Sequence, residues 1–291
     1  MNPIGVSTWI WVSPFTNDDA AVLASRARDI GADLLEIAVE DIEAVTADKL
    51  RLVAEQTGIS FSVCGAFGEA RDLSHEDEHS RRMAEGYIKS CIDLAEAIGA
   101  TNFVGPMYSA VGKARMLGAD ERKRQRCWAI EGLKVLADYA AERHVRLAIE
   151  PLKRFETDLI NTTEQALELC DLVDRDNVGL NLDTFHMNIE EKSLAAAIRN
   201  AGDRLLHFQV CENDRGTPGT GHIPWGDVFN ALGDIRYGGP LVIESFTPSA
   251  KEIAKAVSLW RPLDASGDEL AEGGVRFLRD RLGASAPASE L

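Results

Sequence analysis

The sequence predicts a single (β/α)8 barrel, and three observations carry that prediction. Apolar runs of strand length alternate with amphipathic stretches of helix length along the whole chain, the pattern of a parallel sheet wrapped in helices. There are eight such runs, more than a doubly wound sheet usually holds. No Pro/Ser-rich linker or shift of composition divides the 291 residues, a length that suits one barrel of about 250 residues with long loops.

The first strand, IGVSTWIW (4–11), leads into NDDAAVLASRARDIG, a helical pattern with an Asn/Asp start and a Gly stop. DLLEIAVE (33–40) and ISFSVCGAF (59–67) are the next two strands, and GEARDLSHEDEHS separates the third from its helix. TNFVGPM (101–107) is followed by an equally long connection, YSAVGKARMLGADERKR. VRLAIEP (145–151) precedes TTEQALELCDLVD, whose Thr-Thr-Glu opening suits an N-cap. VGLNLDTFH (178–186), LLHFQVCE (205–212) and GPLVIESF (239–246) complete the eight, with NDRGTPGTGHIPW after the seventh and a last helix, GDELAEGGVRFLRDRL. The barrel is expected to span 1–283, and the small, polar stretch 284–291 to be a disordered tail. Long loops at the carboxyl ends of strands are where barrel enzymes keep their chemistry.

Charge narrows the function. With 31 Lys+Arg against 47 Asp+Glu the net charge is −16, so a nucleic acid or an anionic membrane would have to approach against a repulsive field. Five separate cysteines, Cys64, Cys91, Cys127, Cys170 and Cys211, form no C-x-x-C pair for a structural zinc or a redox couple. The N-terminus has no basic segment before its apolar stretch, and no apolar run approaches the roughly 20 residues that cross a bilayer. A cytoplasmic protein with neither nucleic-acid nor membrane partners is expected.

Glu150, Asp183, Gln209 and Glu244 stand near the ends of strands five to eight, one βα unit apart. In a closed barrel those ends are neighbours around half the rim, so four oxygen-bearing side chains converge. Three carboxylates at close range do not all stay ionised without a cation. An all-oxygen donor set suits Mn²⁺ or Mg²⁺. Taken singly, each Glu has the bland alternative of an exposed strand terminus, and Asp183 that of capping the following turn.

IEPL (149–152), NLDTFHMNIEE (181–191), CENDRGTPGTGHIPW (211–225) and VIESF (242–246) resemble the ketose 3-epimerases of the D-tagatose and D-psicose 3-epimerase type, within the xylose-isomerase-like superfamily of sugar isomerases and epimerases. The resemblance implies a homo-oligomeric isomerase, dimer or tetramer, acting on a small sugar with one divalent cation, Mn²⁺ first and Mg²⁺ or Co²⁺ as alternatives. It implies Glu150, Asp183, Gln209 and Glu244 as metal ligands, with Glu150 and Glu244 also carrying protons between the two faces of an enediolate at C3. Glu156, His186 and Arg215 would hold the O1 to O3 end of the sugar, and Cys64 in SVCGAF would touch it, although a lone Cys among apolar residues also suits plain burial. One position departs: the family's H-x-H on strand seven reads HFQ here, with Gln209 in the place of the second His, a replacement similar to that in hydroxypyruvate isomerase-type relatives. His207, on the same face and one layer deeper, is then either an alternative ligand or a hydrogen-bonded core histidine.

Trp9 and Trp11, which a strand would place on one face, and Phe67, Met107, Tyr108 and Trp225 near strand ends are candidates for an apolar wall around the far end of the sugar. Gly216, Gly219 and Gly221 fit tight turns better than a phosphate cradle, because no helix start follows at P-loop spacing. The Gln209 departure keeps an aldose-ketose or hydroxypyruvate-type isomerase open, as well as a lyase on 3-keto sugars or glycosides and a non-catalytic sugar-binding or metal-binding barrel. Endonucleases of similar fold need zinc-binding histidines and a basic face, which six scattered His and the net charge of −16 exclude.

Overall fold

The computed structural model describes residues 2–284, and each of the eight expected strands forms. They are β1 (Ile4–Ser7), β2 (Leu34–Val39), β3 (Ser60–Gly65), β4 (Asn102–Gly105), β5 (Arg146–Ile149), β6 (Val178–Asp183), β7 (Leu205–Val210) and β8 (Leu241–Ile243). They pair in parallel in chain order, and β8 closes on β1. The crossovers are α1 (Ala20–Asp29), α2 (Ala47–Thr57), α3 (Glu78–Ala97), α4 (Ala119–Ala141), α5 (Thr163–Val173), the pair α6 (Thr184–Glu190) and α7 (Leu194–Ala201), and α8 (Trp225–Asp234). After β8 come α9 (Lys251–Ala256) and α10 (Gly267–Ala284). Ala284 ends α10, and the rest of the expected tail lies outside the described residues. None of the described helices is long and apolar enough to cross a membrane.

The two-residue period of each strand sorts side chains between two environments. Leu35, Ile37 and Val39 of β2, Phe61 and Val63 of β3, and Leu180 and Leu182 of β6 join the main apolar core with helix residues such as Leu23, Val53, Ile88, Leu133 and Leu169. The alternate positions carry small or polar groups. Ala38, Cys64, Val104 and Ala148 cluster with Trp9 and Phe246, while Glu36, Asn181, Asp183, His207 and Gln209 are all fully buried. The large core therefore lies between barrel and helices, and the barrel interior is left narrow, polar and available for a site.

Local signals act where they are written. Thr162 and Gln165 form the capping box that opens α5, and Gly31 takes the left-handed conformation (φ 86°) just after α1. The first strand, however, stops at Ser7, whose Oγ accepts from the Trp9 amide and turns the chain into a single 3₁₀ turn over Thr8–Ile10. Trp9 and Trp11 therefore do not share a face. Trp9 is buried against the barrel mouth, whereas Trp11 is half-buried and donates Nε1–H to Asp268.

The long loops after β3, β4 and β5 are stitched into one wall. Val111 donates its amide to Phe67 O at 2.8 Å, Gly112 donates to Glu156 O at 2.7 Å, and Lys113 Nζ pairs with buried Asp72 at 2.6 Å. After β7 the loop winds around buried Glu212, which accepts from the amides of Gly219 and Ile223 at 2.8 Å and from Trp225 Nε1 at 2.9 Å. Gly179 marks a tight point between β6 and β7, where a Cβ would overlap the Arg204 carbonyl oxygen and the Leu206 side chain. Gly179→Ala is expected to cost about 2–3 kcal/mol, the scale of an overpacked core site, read as a lower urea midpoint at unchanged slope.

Candidate active site

The register places the acidic residues on one level at the carboxyl end of the barrel. Glu150 directly follows β5, Asp183 ends β6, Gln209 pairs across from Asp183 on β7, and Glu244 directly follows β8. All four are buried. Into their midst reaches Arg215, whose Nη1 donates to Asp183 Oδ2 and, at 2.8 Å, to Glu244 Oε2. Its backbone is left-handed (φ 73°), within a turn closed by Arg215 N–H to Glu212 O at 2.9 Å and Glu212 N–H to Gly216 O at 3.0 Å. Ser245 Oγ holds the Arg215 carbonyl at 2.6 Å. A non-glycine residue kept in that conformation by three hydrogen bonds marks a backbone arranged to aim a side chain.

Asp183 does both things expected of it. Its Oδ1 caps α6 by accepting from Phe185 N at 2.8 Å, and its Oδ2 faces Arg215. His186, one turn into α6, is 3.5 Å from Glu150 Oε1 through Nε2 and accepts the Lys153 amide on Nδ1 at 3.0 Å. With Nδ1 occupied by a donor, the ring proton is on Nε2. Arg215 Nη2 lies 3.1 Å from that nitrogen, so two donors face the same space. The Lys153 ammonium, itself buried, pairs with Glu156, whose other oxygen is 4.0 Å from His186 Nε2.

Burial is the largest single influence on the ionisation of these groups, although at Asp183 its partners together outweigh it. It pushes the Glu244 carboxyl up to about 8 against the pull of Arg215, with Asp183 and Glu36 adding to the rise. Glu150 is raised well above the ordinary carboxylate value by burial and then by the charges of Glu244 and Asp183. Burial acts on Asp183 too, but the Arg215 guanidinium, helped by the Phe185 amide, outweighs it and holds this carboxyl below its usual value. Burial also drives the His186 pKa far down, so the ring is neutral, and brings Lys153 down to about 7. Two proton-bearing carboxyls thus flank one firmly ionised carboxylate, the separation of roles that acid–base chemistry requires.

The carboxylates open onto a cavity of about 360 Å³, the size for a small molecule. Glu150, Glu156, His186, Arg215 and Glu244 line it, and Trp9, Phe67, Leu152, Phe246 and Ile253 supply apolar wall. Cys64 lines it as a neutral thiol, its pKa raised by burial and then by Glu36. Met107, Tyr108 and Trp225 do not belong to the wall. Met107 is in the main core, Tyr108 donates its OH to Ile160 O at 3.0 Å, and Trp225 packs against Phe229 and Phe277.

Gln209 joins the cluster through its nitrogen. Nε2 donates to Glu36 Oε1 at 2.9 Å and Glu244 Oε1 at 3.0 Å, and Oε1 accepts from Asn181 Nδ2 at 2.6 Å. His207 is a fully buried core histidine 2.8 Å from Glu36 Oε2. Glu36 and Lys153 are the residues that sequence reasoning missed. Glu36 has a signal in DLLEIAVE, a lone charge within a run that is buried at all six strand positions. Lys153, three residues past Glu150 in a polar stretch, has none.

The family model for a xylose isomerase-like TIM barrel matches residues 24–280. A protein named probable ketose 3-epimerase, from Synechocystis sp., is 34% identical over 275 residues, 94% of this chain and 95% of that one. The ketose 3-epimerase of Arthrobacter globiformis is 31% identical over 96% of each. Among solved structures, a D-allulose 3-epimerase from Methylomonas sp. in complex with D-allulose superposes with a TM-score of 0.91 at 28% identity, covering 96% of this chain and 97% of that one. Closed parallel barrel, acidic cluster at its carboxyl end and likeness over nearly the full length agree, and the chain belongs to the xylose isomerase-like TIM-barrel family.

Proposed function

We propose that this protein epimerises a free ketose at C3 with the help of one divalent cation, Mn²⁺ first among the hard ions, and with Glu150 and Glu244 as the two proton carriers. The observation that carries the reading is a pair of buried carboxyls that burial disposes to hold a proton, Glu150 and Glu244, on either side of ionised Asp183 and both opening on one cavity of monosaccharide size. The donor set suits such an ion: three buried carboxyl groups of hard oxygen character face one guanidinium, and a dication would favour their ionised forms against the protons that burial keeps on Glu150 and Glu244. Glu150, Asp183 and Glu244 would hold it, and when bound it supplies Lewis-acid polarisation of the sugar oxygens.

The chain's own residues account for the rest. One of Glu150 and Glu244 removes the C3 proton and the other delivers a proton to the opposite face, with the roles exchanged for the other epimer. His186 Nε2–H and Arg215 Nη2, two donors aimed at one space, are arranged for a substrate oxygen that accepts from both and gathers negative charge as the proton leaves. Glu156, pinned by Lys153, offers its second oxygen to a hydroxyl. A free rather than phosphorylated sugar is favoured because, among the described residues, Arg215 is the one Lys or Arg lining the cavity and its Nη1 is spent on carboxylates, while Glu40 and Glu252 also line it.

The test is NMR of a panel of ketohexoses and ketopentoses incubated with the Mn²⁺-loaded protein in D₂O. Deuterium at C3 together with a new epimer is expected; label at C1 instead would make the enzyme an isomerase, and no label in any ketose would sink the reading. Loading itself has a signature. Because burial keeps protons on Glu150 and Glu244, a bound dication would displace one of them, leaving one carboxylate to take the C3 proton and one carboxyl to return a proton. Affinity is therefore expected to weaken about tenfold per pH unit per displaced proton below about 8, with proton release visible as a buffer-dependent heat in titration calorimetry.

A further inference from the structure

Below the carboxylates, the barrel interior holds a buried acid that the chemistry above leaves unused. Glu36 is fully buried and in register with Ser7 and Ser62 on the flanking strands. Its Oε2 accepts from Ser62 Oγ at 3.0 Å and lies 2.8 Å from His207 Nε2, and its Oε1 accepts from Gln209 Nε2 at 2.9 Å. The second hydrogen on that nitrogen goes to Glu244 Oε1 at 3.0 Å, and Gln209 Oε1 takes the Asn181 amide at 2.6 Å.

These neighbours dictate which way the Gln209 amide points. Turned over, its oxygen would face the Glu36 carboxylate at 2.9 Å, and its NH₂ would face the NH₂ of Asn181, acceptor against acceptor and donor against donor. Rotating Asn181, whose Oδ1 has no partner, would repair the second conflict and leave the first. The atom this orientation turns to Glu244 is then Nε2, an amide nitrogen with no lone pair to give an ion.

We propose that Gln209 is a positioning residue rather than a metal ligand: gripped by Glu36, its amide holds Glu244 Oε1 and so aims Glu244 Oε2 at the reacting centre. The chain's contribution to the ion is then three carboxylates, and the Glu36–Gln209–Glu244 relay does the work of orientation. The inference rests on the proposed function in that Glu244 is the proton carrier being aimed.

The experiment compares wild type with Gln209→Met, Glu36→Met, Glu36→Gln and the Glu36→Met/Gln209→Met double variant, each checked for folding by thermal unfolding. Mn²⁺ dissociation constants are measured by titration, separately from the rate of deuterium uptake at whichever carbon the wild type labels. Expected are Mn²⁺ constants within about threefold of wild type, kcat lower by about tenfold or more with KM within about twofold in both Met variants, and a double variant no slower than the slower single one. Glu36→Gln keeps an acceptor oxygen for Gln209 and should stay within about threefold of wild type. Weakening of Mn²⁺ by about thirtyfold or more in Gln209→Met would make the amide a ligand and overturn the proposal. Unchanged kcat in Glu36→Met, or rate losses that multiply in the double variant, would overturn it as well. A wild type that labels sugar without binding Mn²⁺ removes the metal from the proposed function and leaves the rate comparison to judge Gln209; a wild type that labels nothing takes both down.

Discussion

Replacing either proposed proton carrier with its neutral isostere, Glu150→Gln or Glu244→Gln, is expected to lower turnover by about 10³- to 10⁴-fold. The Mn²⁺-free protein should unfold at the same temperature or a higher one. Both effects have one cause. Burial and mutual repulsion keep these two carboxyls from ionising readily, and that reluctance is what lets them hold and return a proton near neutral pH. An amide of the same shape has no transferable proton, but it also removes a buried acid from a crowded acidic cluster, so the fold loses a repulsive interaction while the chemistry stops. The measurement is deuterium uptake at C3 beside thermal unfolding in chelator. A Gln variant that labels sugar at the wild-type rate would take that Glu out of the reaction. Mn²⁺ should bind more weakly in both variants, because a charged ligand is gone.

The barrel could be read in the chain because its two periodicities are both written plainly. Each strand carries bulky apolar residues on its outward face, as with Leu35, Ile37 and Val39, and the loops grow long only where strands end. The acidic cluster could be read for the same reason: Glu150, Asp183 and Glu244 interrupt apolar strands at equivalent positions, and equivalence in a barrel means proximity. What one-dimensional spacing does not contain is the orientation of a short side chain. Whether Gln209 offers oxygen or nitrogen depends on Glu36, Asn181 and Glu244, which come from three other strands and meet only after closure. Trp9 and Trp11 failed at a smaller scale, where one serine hydroxyl converted an apparent strand into a turn. Lys153 lacked any signal because its ammonium, paired with Glu156 three residues on, is buried only when the loop after β5 packs on α6, where Phe185 lies 5.0 Å away.

Arg215→Met is expected to destabilise the Mn²⁺-free protein by roughly 3–5 kcal/mol, the cost of removing one partner from a buried ion pair. Saturating Mn²⁺ should recover at least half of that loss. Among the described residues the guanidinium is the one group donating to both Asp183 and Glu244, and both of those carboxyl groups are buried. Methionine keeps most of the buried stem and the same left-handed backbone burden at φ 73°, so the comparison isolates charge and hydrogen bonding. Protonation softens the loss in a pH-dependent way. A buried acid with a raised pKa favours the fold most while protonated, below its ordinary value near 4.5, and that contribution fades as the pH climbs to about 8 for Glu244. Without Arg215 to pull the Glu244 value down, the fold should lean further on that proton, and the gap between variant and wild type should widen from pH 6 to pH 9 in chelator. Urea unfolding at the two pH values, with chelator and with Mn²⁺, measures all of this. An equal loss under every condition would make Arg215 a packing residue of the turn after β7; a loss that closes with the ion would mean that guanidinium and dication balance the same three carboxylates, which leaves Arg215 free to meet the substrate once the ion is in place.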